Sequence, residues 1–430
     1  MNYSRRDVLK MLSKISFVGY SAQWLPTLGL TSCGNKTLPG QNLRAEEDHF
    51  FLAITTIGGF DATLGLDPQI LPAGADAQDM FLEYRPDQIH QKGAQRLGIA
   101  AMPLEKHLQD CLILNGIMMR RDAGHIVALN YMLTGRGDGK IATVTAEIAE
   151  KTPMGPFGII SNANPYLANK IINKSSTNDL LKLSEEEKLI ELIEEKIKVE
   201  NKKSDTPYEM AEQKIVEGKA IAKKLSQSLK EALKKQGSLN EKNIAVASFS
   251  SGAATQAELM ILNNSVIGLD SHSNHEKVHL ASQKDVWSYV SDLFDLFKNT
   301  PHKKGSLFDY TTFMIATEWS RTPYLNAAKG KDHNPFTNSI LLAGKNILGG
   351  KTIGKSHLIT RNKTEDGKAL HIAVPFNYQT GQSEHSKVNT SFIYPENIIR
   401  TLFNAFKIAE NKQPLESNIP IIPGVISPYK

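Results

Sequence analysis

At 430 residues with 40% hydrophobic content, the chain can bury a sizeable core and reads as globular. Its formal net charge of +5 is modest for this length, and no basic stripe is interleaved with aromatics, which argues against a nucleic-acid partner. With only two cysteines, Cys33 and Cys111, the fold is expected to stand on its core rather than on a disulfide framework.

The first element is a targeting segment over residues 1–33. Ser4-Arg5-Arg6-Asp7-Val8-Leu9-Lys10 resembles the twin-arginine export consensus, with Val8 where Phe is commonest. The apolar run from about Ile15 to Leu30 is interrupted by Ser21, Gln23 and Pro26 and falls short of the roughly 20 apolar residues of a spanning helix, so no permanent transmembrane anchor is expected. Leu30-Thr31-Ser32-Cys33 resembles a lipobox, in which the Cys33 sulfur takes a diacylglyceryl group; a plain disulfide or an inert thiol is the alternative. These features predict export of the folded chain by the twin-arginine machinery to the periplasm or cell envelope, with membrane contact if Cys33 is lipidated.

Residues 34–430 then read as an α/β domain. Phe50 to Ile57 before Gly58-Gly59, and Cys111 to Leu114 before Asn115-Gly116, are short apolar runs ended by glycine and predict buried parallel strands. Cys111 heads its run as a buried small hydrophobe. From about 169 to 240 the chain turns rich in Lys and Glu. Ser184-Glu185-Glu186-Glu187 is a capping box; Leu189, Ile193 and Ile197, then Ile221, Leu225, Leu229 and Leu233, follow at four-residue steps. Two amphipathic helices with solvated charged faces are predicted, forming an insertion between two halves of one sheet. Beyond Lys242, Ser265 to Leu269 and Phe313 to Thr317 are the strand candidates, and the tail from Pro414, with four prolines, reads as an extended strap. Strands alternating with helical stretches predict a sheet with helices on both faces.

In such sheets, sites lie outside the carboxyl ends of the strands. The residues there form a set: Asp61 after Ile57-Gly58-Gly59-Phe60, His125 at a helix start, Asp270 after Leu269, Glu318 after Thr317, and Asp332-His333 in a loop. The densest cluster is Asp270-Ser271-His272-Ser273-Asn274-His275-Glu276-Lys277-Val278-His279. Carboxylates and imidazoles at this spacing suit zinc, manganese or iron, against the blander reading of a polar loop with exposed histidines. The spacing leaves open which of His272, His275 and His279 are ligands; His275 and His279 share a face if a helix starts there. Arg321, in Glu318-Trp319-Ser320-Arg321-Thr322-Pro323, either forks onto an oxyanion or pairs with a carboxylate. Asp61 by itself also suits an ordinary turn.

Gly58-Gly59-Phe60-Asp61, His125 to Tyr131 with Met132-Leu133-Thr134-Gly135, Gly268-Leu269-Asp270-Ser271-His272, Thr317-Glu318-Trp319-Ser320-Arg321-Thr322-Pro323, Lys331-Asp332-His333 and Gly349-Gly350-Lys351 together resemble an exported bacterial family, domain of unknown function 1501, itself similar to the alkaline phosphatase and sulfatase superfamily. The resemblance implies an alkaline-phosphatase-like, parallel-rich sheet carrying a two-metal site. It places Asp61 as the first-strand aspartate, Asp270 with His272 or His275 on one metal, Glu318 where an aspartate usually stands, and His333, after Asp332, as the last histidine. Trp319 stands in place of a histidine ligand. His125 falls where the superfamily's nucleophile stands, and imidazole is a better ligand than nucleophile there, so His125 is expected to bind metal.

The expected activity is hydrolysis of a phosphate or sulfate ester, or a related anionic small molecule or polymer, by metal-bound hydroxide with Arg321 as a clamp. The alternative is a non-catalytic envelope binding protein that keeps the fold. An iron-dependent oxidoreductase is a third reading.

Overall fold

The computed structural model describes residues 48–71, 73, 76–120, 124–136, 142–152, 159–161, 174–176, 240–261, 266–385 and 390–427, with isolated positions between 220 and 231. Its main sheet contains β1 (Phe50–Thr55), β2 (Cys111–Leu114), β3 (Ile159–Ser161), β4 (Lys174–Ser176), β5 (Gln256–Met260), β6 (Thr311–Ala316), β7 (Ile340–Gly344) and β8 (Lys351–Ile353), in the order β8-β2-β7-β6-β1-β5-β3-β4. β1 is central, parallel to β6 on one side, where Phe50 faces Thr311, and to β5 on the other, where Phe51 faces Gln256. β7 alone runs against its neighbours, antiparallel to both β6 and β2.

Phe-Phe-Leu-Ala-Ile-Thr in β1 is buried throughout because the sheet is covered on both faces. Alternation divides its side chains between two cores. Phe50, Leu52 and Ile54 join Phe313 and Ile315 of β6 on one face, under Trp287, Phe294 and Phe297 of the long helix α4. Phe51 and Ala53 join Met314 and Leu342 on the other, under helices α1 and α5. Helices among the described residues include α1 (His125–Thr134), α2 (Val144–Lys151), α3 (Glu241–Ser251), α4 (His275–Lys298) and α5 (Pro395–Ala405). α1 stops at Gly135, whose φ of +70° and bond from its N–H to the Tyr131 carbonyl make a left-handed cap. No helix among the described residues is long and apolar enough to cross a membrane.

The α/β class holds, with two local differences from expectation. Residues 266–269, expected to end a strand, form a 3-10 turn, in which Gly268 packs against Ser282 of α4 too closely for a side chain. The strand that belongs to this part of the sheet is β5, upstream, whose Gln256 and Glu258 hide its apolar character. Lys174–Ser176 lies within the expected helical insertion yet pairs with β3 as an edge strand. The periodic residues from Leu189 to Leu233 lie outside the described residues, as does the targeting segment with Cys33. Cys111 is buried and free, and burial pushes its thiol up, consistent with its reading as a small hydrophobe.

Candidate metal centre

Four loops meet beyond the carboxyl ends of β1 and β6. After β1 the chain turns at Gly58 and Gly59, with φ of +112° and +74°. A Cβ on Gly58 would lie 2.7 Å from the Asp270 nitrogen, so the close approach of these two loops depends on glycine. After β6, Ser320–Arg321 pairs antiparallel with His333–Asn334, which brings the end of the Asp332-His333 loop back beside Glu318. The Asp270 loop is held to it by the Lys331 N–H donating to the Ser271 carbonyl at 3.0 Å, while the Thr322 N–H, donating to the Asp332 carbonyl at 2.9 Å, ties the turn after β6 to the same Asp332-His333 loop.

Asp270, His125, His272 and His333 converge on the open side of this junction. His125 Nε2 lies 3.5 Å from Asp270 Oδ2; His272 Nε2 and His333 Nε2 lie 3.2 and 3.5 Å from Asp270 Oδ1, and 2.9 Å from each other. Asp270 and His272 are nearly half exposed, at 45% and 47% for their side chains. Asp270 and His125 open onto a pocket of about 480 Å³, lined also by Ile57, Gly58, Ile126 and Val127.

The remote ring nitrogens fix the tautomers. His125 Nδ1 is 2.8 Å from Glu318 Oε1, and His272 Nδ1 is 3.1 Å from Asp332 Oδ1. An ionised carboxylate only accepts, so each Nδ1 carries a hydrogen, which makes Nε2 the atom available as a ligand on the side of Asp270. Lone pairs facing a carboxylate repel unless a cation lies among them, which is the arrangement of a metal site with oriented imidazoles. Hydrogen bonding to Asp270 first and to Glu318 second raises the His125 pKa to about 9. The same contacts, with His125 first, then His333 and Arg321, hold the Asp270 carboxyl far below its usual range.

Glu318 and Arg321 stand behind this cluster. Glu318 is fully buried; its Oε1 accepts from the Gly58 N–H at 2.6 Å and its Oε2 from the Thr317 hydroxyl at 2.6 Å. It is placed to orient His125. Arg321 is also buried, and its donors go to the Gly58 carbonyl at 2.9 Å, the Lys331 carbonyl at 2.9 Å and Asp270 Oδ1 at 2.6 Å. Its guanidinium is thus placed on a carboxylate, the second of the two sequence readings. Trp319 packs against His125 and His333, with ring centroids 4.7 and 4.3 Å away.

Asp61 and His275 lie apart, in a buried cluster that the sequence grouped with the rest. His275 Nε2 lies 3.2 Å from Asp61 Oδ2. The Lys331 ammonium also pairs with Asp61 Oδ2. Burial alone would raise the Asp61 carboxyl, but Lys331 and then His275 outweigh it and hold it well below the usual range. His275 and His279, one turn apart on α4, stack at 4.3 Å and both contact the Ser271 hydroxyl, at 2.6 and 2.9 Å. Burial depresses the His279 pKa strongly, so its ring is neutral. Glu83, whose carboxylate also faces His275, carries no signal in the sequence beyond being charged; Lys331 belongs to the Lys331-Asp332-His333 stretch of the resemblance but is not singled out there as a site residue.

Residues 174–373 match the model of a family described as "Protein of unknown function (DUF1501)", which supports the resemblance to domain of unknown function 1501. The match takes in Asp270, His272, His275, Glu318, Asp332 and His333; Asp61 and His125 lie outside it. No curated protein matches. A solved structure, "Structure of PH0037 protein from Pyrococcus horikoshii", aligns over 84% of this chain and 98% of its own at 12% identity, with a TM-score of 0.22. So slight a likeness carries no argument about fold or function.

Proposed function

We propose that Asp270, His125, His272 and His333 hold a zinc, manganese or iron ion, and that the protein uses it to hydrolyse a phosphate or sulfate ester in the cell envelope. The observation that carries this reading is the convergence of imidazole Nε2 atoms within 3.5 Å of one half-exposed carboxylate, with their remote nitrogens backed by Glu318 and Asp332. A bound divalent ion supplies Lewis-acid charge to a substrate oxygen and acidifies water. The protein's own residues do the rest of the positioning: Glu318 sets the His125 ring, Asp332 sets His272, and Arg321 fixes Asp270. The adjoining pocket gives an ester room to approach, with Ile126 and Val127 exposed on its rim.

An alkaline-phosphatase-like descent suits the mostly parallel sheet and the position of the cluster beyond its central strands. The test is elemental analysis of the mature protein, beside a His333→Ala variant, followed by a screen of aryl phosphates, phosphodiesters and sulfates with the ion found. Near-stoichiometric metal lost in the variant, together with turnover of one ester class, supports the reading. Bound metal with no turnover favours a second reading, a non-catalytic envelope protein that binds an anionic polymer. Arg321 supports this second reading, because its donors are spent on Gly58, Lys331 and Asp270 rather than offered to a substrate.

Delivery to the envelope rests on Arg5-Arg6 and the weakly apolar run behind them, and a lipid on Cys33 would tether the domain to a membrane.

A further inference from the structure

Asp61, Glu83 and His275 come from three separate parts of the chain to one place closed to solvent. Asp61 follows β1, Glu83 lies just ahead of the turn Pro86–Gln88, and His275 opens α4. Their side chains are 1%, 4% and 0% exposed. His275 Nε2 is 3.2 Å from Asp61 Oδ2 and 3.0 Å from Glu83 Oε1, and one donor atom from each residue lies within 4.8 Å of the others.

The partners around this trio are already assigned. Asp61 Oδ1 accepts from the Thr63 hydroxyl at 2.5 Å and the Thr63 N–H at 3.0 Å, which leaves Oδ2 facing the cluster. His275 Nδ1 is held by the Ser271 hydroxyl at 2.6 Å, which aims Nε2 at the two carboxylates. Glu83 is different: neither of its buried oxygens has a hydrogen-bond partner, even though His275 Nε2 is close to one of them. A buried carboxylate left so is costly unless a cation joins it. The donor set agrees, since the Asp61 and Glu83 carboxylates face the single ammonium of Lys331, which pairs with Asp61.

We infer that Asp61, Glu83 and His275 form a second divalent-cation site, buried and sharing no ligand with the open one. Two carboxylates and an imidazole suit zinc, manganese or iron better than magnesium or calcium, which take oxygen donors alone. Enclosure makes this a structural ion, tying the loop after β1 to the start of α4 behind the Asp270 loop. Lys331 competes with the ion for Asp61 Oδ2, so the ammonium weakens the site rather than building it. The inference is independent of the ester chemistry proposed above.

The test uses the full chain, stripped of metal and refilled with zinc or manganese alone, with bound metal counted by elemental analysis after desalting. The wild type is expected to hold two ions per chain, His333→Ala one, Glu83→Gln one, and the double variant none. Glu83→Gln should weaken the retained-in-His333→Ala ion at least tenfold, and Lys331→Met should tighten it by a similar factor. A count unchanged by Glu83→Gln overturns the buried site, as does a wild-type count of one that falls to none in His333→Ala; the latter leaves the open site standing. Circular dichroism checks that Glu83→Gln folds. If it does not, the count in His333→Ala decides, one ion for the buried site and none against it.

Discussion

The Cβ that Gly59 lacks would sit 2.7 Å from the indole Cδ1 of Trp319. Trp319 in turn packs on His125 and His333, so the second glycine after β1 makes room for the aromatic floor of the open cluster. Gly59→Ala would add this clash to a backbone at φ +74°. A loss of about 2–4 kcal/mol is expected in denaturant unfolding, together with weaker metal binding. Unchanged stability would mean that the indole can move aside freely.

Glu318→Gln tests the carboxylate behind His125. The amide oxygen can keep the Gly58 N–H bond, but the charge that makes His125 a stronger donor is lost. Metal affinity at the open site should fall by about 10- to 100-fold with the fold intact. A chelator-competition titration reads this directly.

Arg321→Met should destabilise the protein by about 3 kcal/mol, mainly because the buried Gly58 and Lys331 carbonyls lose their donors. Asp270 is half exposed and adds little through solvent-screened charge. Arg321→Lys should recover only part of the loss, since an ammonium cannot serve both carbonyls and Asp270 with the planar fork of a guanidinium. Urea unfolding of the three proteins gives the comparison.

His49 provides the pH prediction. Its ring stacks on Phe406 at 3.7 Å and meets the Thr312 hydroxyl at 2.7 Å. Burial first, then Lys345 and Lys407, lower its pKa to about 3. The folded form therefore resists a proton that the unfolded chain takes up near pH 6.5, so stability falls as the pH drops from about 6.5 towards 3. Between pH 7.5 and 5 this one group should cost about 2 kcal/mol. His49→Phe keeps the stack and should remove that part of the acid sensitivity; identical pH profiles for the two proteins would refute the assignment.

The export reading makes a separate prediction. Replacing Arg5 and Arg6 together by Lys should leave full-length precursor in the cytoplasm, while Cys33→Ala should leave export intact and abolish labelling by a radioactive fatty acid. Cell fractionation and labelling check the two claims independently.

Phe50–Thr55, Cys111–Leu114 and the Phe313–Ala316 part of Thr311–Ala316 were legible because a strand buried on both faces reads as a near-continuous apolar run. Gln256–Met260 was not, because its polar residues are satisfied out of sight: Glu258 accepts from the Thr143 hydroxyl at 2.7 Å, and Gln256 donates to Thr152 at 3.1 Å. Asp270, His125, His272 and His333 stood out as donor-type residues at loop or helix starts, and the fold brings them within hydrogen-bonding range. Their separation from Asp61 and His275 was hidden, because it depends on which way each loop residue points after two loops pair. Glu83 could not be found at all. It lies in a stretch with no regular structure, and nothing nearby in sequence marks it as a donor.

The pairing of the Asp270 and Lys331 loops makes the two clusters share one reading frame. Asp270 and His272 face outwards while Ser271 between them faces the buried side; Lys331 faces inwards while Asp332 and His333 face out. Point substitutions can therefore alter one cluster and spare the other, but the insertion or deletion of a single residue in either loop cannot. Such a slip would turn carboxylates and imidazoles inwards and carry a hydroxyl or an ammonium outwards, so both centres would be lost in one step. A change of length in either loop thus reaches both centres, where a substitution reaches one.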